Sequence, residues 1–121
     1  MTNYEQAVLL RIFIGESDEF QGRPLHEALV LKAREMGLAG ATVLRGPMGF
    51  GRSSRLHTAK ILRLSEDLPV VIELVDSEAK IERLIAATAD MLGSSLVTTE
   101  KVNVLRYGHD NSLSGPDGKQ Q

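Results

Sequence analysis

Ten residues near the middle of the chain, Gly46-Pro47-Met48-Gly49-Phe50-Gly51-Arg52-Ser53-Ser54-Arg55, have the make-up of a turn that could grip an anion. Glycines let the backbone come close to a ligand and aim several N–H groups into one concavity. Arg52 and Arg55 add charge-assisted donors whose fork geometry suits phosphate or carboxylate. The run is neither a Walker loop nor a dinucleotide fingerprint, because no Gly-Lys-Ser follows and the helix context is missing. The residues alone fit equally a connection whose glycines serve only turns. A second candidate overlaps it, Arg55-Leu56-His57-Thr58-Ala59-Lys60-Ile61-Leu62-Arg63. No acidic residue lies between Glu35 and Glu66, whereas Arg45, Arg52, Arg55, Lys60 and Arg63 all do. Such a segment calls for an anion, an acidic partner or solvent. His57 reads as a hydrogen-bonding residue of this stretch; His26 and His109 are too far off in sequence to give metal-binding spacing. Arg106, beside Tyr107, gains meaning only if it faces the glycine turn. Glu66 and Asp67 are adjacent and point apart in extended chain, and no nucleophile stands with a base, so the chain is expected not to be an enzyme. Ser65-Glu66-Asp67 reads instead as the cap or end of a short helical turn covering Ile61, Leu62 and Leu64.

Six elements must position these residues. Ala7–Ile14, apolar at nearly every position, predicts a central strand covered on both faces. Gly15–Gly22 is a polar connection. Pro24 stands where a helix can begin, and Leu25, Ala28, Leu29, Ala33 and Met36 recur at helical spacing up to a stop at Gly37. Ala41–Leu44 predicts a second strand and Pro69–Val75 a third. Ser77 caps a second helix whose stripe is Ile81, Leu84, Ile85, Thr88 and Leu92, ended by Gly93. Leu96–Thr99 and Val102–Leu105 give a last strand, bent between its halves. Strand, helix, strand, strand, helix, strand is the α+β ferredoxin-like βαββαβ order, an antiparallel sheet with two helices on one face. The first and third strands read as apolar on both sides, so the bare face is expected to be covered by another subunit's sheet. Residues 1–108 form the single domain and residues 109–121, rich in Asp, Asn, Ser, Gly and Gln, a flexible tail.

Composition narrows the classes further. With no cysteine, disulfides and zinc–thiolate sites are excluded. A formal net charge of −2 and 4% aromatic residues argue against a nucleic-acid partner, which would need basic surface and stacking platforms; Phe13 alone is suitably placed. The first residues lack a signal peptide's basic and apolar regions, so the cytoplasm is the expected compartment.

Gly40-Ala41-Thr42-Val43, Gly49-Phe50-Gly51-Arg52 and the Val71–Val75 strand resemble the nitrogen regulatory PII proteins. Arg45-Gly46-Pro47-Met48-Gly49-Phe50-Gly51, His57-Thr58 and Leu64–Glu73 resemble more closely a PII-like uncharacterised bacterial family, domain of unknown function 190. The likeness spans Leu9 to Gly108. It implies a homotrimer with an adenine nucleotide (AMP, ADP or ATP) as effector in inter-subunit clefts, with no obligatory cofactor. By position, Thr42 would touch base or ribose, Gly49, Phe50, Gly51 and Arg52 would hold phosphates, and Arg106 would match a phosphate-binding arginine. Arg55, His57 and Lys60 would belong to the loop that meets ligand or partner. The chain departs from PII where a lysine is expected at Leu68 or Pro69, a Gly- and Lys-rich turn at Leu92–Leu96, and a second arginine at Val104. The resemblance also implies a protein partner, such as a membrane transporter or fluoride channel. The alternative reading is a trimeric divalent-metal-handling protein of the cation-tolerance type.

Overall fold

The computed structural model describes residues 4–51, 57–58, 67–93 and 95–105. Strand β1 runs over Glu5–Gly15 and alternates: Val8, Leu10, Ile12 and Ile14 are buried, while Leu9, Arg11 and Phe13 face the other way. The segment read as a plain connection folds into a small ribbon, β2 (Glu19–Phe20) with β3 (Arg23–Pro24). Helix α1 follows directly, Leu25–Glu35, burying Leu25, Ala28, Leu29 and Ala33, and Gly37 takes φ +81° just beyond its end.

Next come β4 (Thr42–Arg45), β5 (Met48–Gly49) and β6 (His57–Thr58), the last two paired with each other. Strand β7, Pro69–Asp76, alternates as β1 does, burying Val70, Ile72, Leu74 and Asp76. Helix α2, Glu78–Ala87, starts where the Ser77 hydroxyl accepts from Lys80 N at 3.3 Å. The predicted single stripe is broken at Thr88, whose hydroxyl donates back to the Leu84 carbonyl at 2.8 Å; a further turn, α3 (Ala89–Leu92), leads to Gly93 at φ +49°. Strand β8, Leu96–Val104, keeps one register against β1 from Phe13↔Leu96 to Glu5↔Val104, so it is continuous rather than divided.

The main sheet is antiparallel in the order β4-β7-β1-β8, which places the first and third long strands at the centre as the split βαβ arrangement requires. This is the ferredoxin-like fold. One core joins Val8, Leu10, Ile12, Ile14, Val70, Ile72 and Leu74 to Leu25, Leu29, Ala33, Ile81 and Leu84, so both helices cover the same face. None of the described helices is long and apolar enough to cross a membrane.

The opposite face differs from the all-apolar expectation. Register aligns Leu44, Val71, Phe13 and Leu96 in one apolar row across four strands, with Phe13 36%, Leu44 47% and Leu96 59% exposed. The next row is Thr42, Glu73, Arg11 and Thr98. There Arg11 Nε donates to Glu73 Oε2 at 2.9 Å and Nη1 reaches Glu100 Oε1 at 3.4 Å. The hydrogen bond to Glu73 raises the arginine's pKa above its ordinary value. A long apolar stem lets arginine sit within an otherwise apolar strand, so periodicity alone reads through it.

Candidate functional site

The glycine turn is anchored on Pro69. Gly46 N donates to the Pro69 carbonyl at 2.8 Å, and a Cβ added at either Gly46 or Gly49 would come within 3.0 Å of the Pro69 ring. At both positions a side chain would press on that ring, so glycine gives the closest approach. From Gly49 the chain turns and comes back, with Gly49 opposite His57 and Met48 opposite Thr58. Phe50 at the turn is 73% exposed.

A second anchor comes from the β1–β2 connection. Arg45, the last residue of β4, forms an ion pair with Glu16, Nη2 to Oε2 2.7 Å. The Glu16 amide donates to the Leu68 carbonyl at 2.8 Å. Ser17 donates both its amide (2.8 Å) and its hydroxyl (2.7 Å) to Asp67 Oδ1. Residues 16 and 17 thus tie together the two roots of the 46–67 segment. Asp67 serves this tie; the helical turn it was read as ending lies outside the described residues.

Of the sequence-derived candidates, Gly49, Phe50 and Gly51 stand together in the turn. Thr42 is exposed at the far end of β4, opposite Glu73, three strand steps or roughly 10 Å along from Arg45. The β6 backbone brings His57 beside Gly49; nothing is described of its side chain. Arg52, Arg55, Lys60 and Arg106 lie outside the described residues, as does the 109–121 tail. Sequence reasoning missed Glu16, Ser17 and the tie through Asp67, because each contact joins residues far apart along the chain. Arg45 was visible as one of the basic residues, but not its partner. Among the described residues no group of three or more His, Cys, Asp or Glu side chains could hold a metal ion, so the metal-handling alternative finds no support.

A four-stranded βαββαβ sheet with a glycine turn hung from its edge defines a ferredoxin-like protein. Among solved structures, the chain is similar to CPII, a nitrogen regulatory PII-like protein from Thiomonas intermedia K12 bound to ADP, AMP and bicarbonate: TM-score 0.68, 15% identity, 88% of this chain and 94% of that one covered. It is also similar to the GlnK–ATP complex of B. subtilis, with a TM-score of 0.53 and 13% identity over 80% of this chain and 82% of that one. These likenesses show the fold. The family is shown by sequence: the DUF190 family ("Uncharacterized ACR, COG1993") matches residues 7–104. A UPF0166 protein of Aquifex aeolicus is 39% identical over 97 residues, covering 80% of this chain and 91% of that protein. The chain belongs to the DUF190 family. Nothing in these comparisons supports a fluoride channel as its partner.

Proposed function

We propose that the chain is a PII-like regulatory protein that binds a small anionic ligand, an adenine nucleotide, in clefts between the subunits of a homotrimer and passes that state to a protein partner. It has no catalytic role in this reading. The observation that carries it is the glycine turn at residues 46–51, pinned to Pro69 at the sheet edge with Arg45 at its root. A guanidinium at the root of a glycine turn suits phosphate oxygens, to which it donates charge-assisted bonds in fork geometry. Solved neighbours of the same fold that hold ADP, AMP or ATP support the choice of ligand. The bare face, with Phe13, Leu44 and Leu96 exposed in one row, supports the assembly, because an apolar sheet surface of this kind is normally covered.

Titration with AMP, ADP and ATP by calorimetry and thermal shift tests the reading. Binding to the folded state alone stabilises by about 2.7 kcal/mol at a hundredfold excess over Kd. A rise in Tm with at least one nucleotide is expected. No rise with any of the three at millimolar concentration overturns it.

A further inference from the structure

The Glu16–Arg45 ion pair sits at the root of the glycine turn, and it joins the one described cation there to an acid that no local feature of the turn requires. Arg45 directly precedes Gly46, whose amide is held by Pro69, so its backbone position is fixed. Its side chain is 58% exposed and that of Glu16 31% exposed, at an Nη2–Oε2 distance of 2.7 Å. An ion pair so open to water contributes only about 0–1 kcal/mol. A polyanion bringing several negative oxygens to the same guanidinium competes well against one carboxylate. The backbone that carries the acid, by contrast, is held in place. Its amide is bonded to Leu68 and the next residue is held twice by Asp67, so the carboxylate stays within reach of Arg45 whether or not it holds the arginine.

We propose that Glu16 is a built-in counter-anion that occupies Arg45 when the turn is empty, and that an anionic ligand displaces it, making Arg45 a ligand-binding residue. This rests on the anion-binding reading of the turn and extends it to two residues outside the glycine run. Glu16 is then a positioning residue that sets the affinity threshold: the ligand must outcompete it.

A double-mutant cycle on the full-length chain tests the exchange, with ADP and inorganic pyrophosphate as separate titrants at low ionic strength. Glu16→Gln should tighten binding by roughly two- to fivefold, the equivalent of the exposed pair it removes. Arg45→Gln should weaken it by about tenfold or more, as expected for a lost charge-assisted bond. In the Arg45→Gln background, Glu16→Gln should have no further effect. A gain that persists in that background means the acid acts through the general field and overturns the exchange. Unchanged ADP affinity in both single variants, with wild type binding ADP, also overturns it and leaves the nucleotide reading standing. If wild type and Glu16→Gln bind pyrophosphate with the expected difference but neither binds ADP, the nucleotide reading fails and the exchange stands. If neither protein binds either titrant, both fail.

Discussion

Gly15 ends the first long strand with no room for a side chain, because a Cβ there would collide with the Asp67 carboxylate. The same carboxylate accepts both Ser17 donors, so its position cannot shift without losing them. Gly15→Ala is therefore expected to destabilise by about 1–3 kcal/mol, the range for overpacking a filled site. In an Asp67→Ala background, where the obstacle is gone, most of that cost should vanish; urea denaturation of the four proteins reads the coupling. Asp76 makes the reverse case of a buried charge that is needed. It is fully buried and accepts from Ala39 N at 2.8 Å and Ser77 N at 2.7 Å, joining the loop after α1 to the start of α2. Asp76→Ala leaves two amides without that partner, and a loss of roughly 2–4 kcal/mol is expected in the same assay. A loss under 0.5 kcal/mol would mean that water or backbone replaces the carboxylate at little cost.

At the scale of elements, what could be read from the sequence was what neighbours along the chain decide. Ser77 announces a helix start because its hydroxyl needs a donor only three residues on, and Lys80 N supplies it. Ser77→Ala should cost about 1 kcal/mol, seen as a lower urea midpoint with an unchanged m-value. Gly37 and Gly93 announce helix ends because positive φ is a property of the single residue. The apolar runs of β1 and β7 marked them as strands, and the right-handed crossover rule gave the strand order. The face each side chain takes shows only in the alternating burial of the folded chain. The clasp of residues 16–17 on Arg45 and Asp67 could not be read this way. Ser17 and Asp67 are brought together only by the antiparallel pairing of β1 with β7, which sets Gly15 opposite Pro69. The same pairing explains Arg11. Within its own strand it interrupts an apolar run; opposite Glu73 it is half of a bonded pair. For the candidate site, the glycine turn was legible by composition, but its anchoring on the Pro69 ring was not, since that contact depends on β4 lying beside β7.

For the whole molecule, the face away from the helices is where the proposed assembly would form. Leu44, Val71, Phe13 and Leu96 form a continuous apolar row, and the only charges in the rows beside it are the mutually bonded Arg11, Glu73 and Glu100 among the described residues. A charge already paired within its own chain can be covered by another subunit at far lower cost than a lone one, since the Coulomb partner travels with it into the interface. Arg11 and Glu73 are bonded at 2.9 Å, so the two charges enter together. Phe13 lies at the centre of the apolar row, and Phe13→Lys would place an unpaired ammonium there with nothing opposite to neutralise it. If the proposed trimer forms through this face, sedimentation equilibrium should show wild type at three chain masses and Phe13→Lys at one, with any thermal shift by nucleotide lost along with the proposed clefts. Arg11→Met with Glu73→Leu, which exchanges the pair for apolar volume, should stay trimeric or associate more tightly. If Phe13→Lys sediments as wild type does, this face is not the seam between subunits, and the ligand cleft must be sought along the strand edges instead.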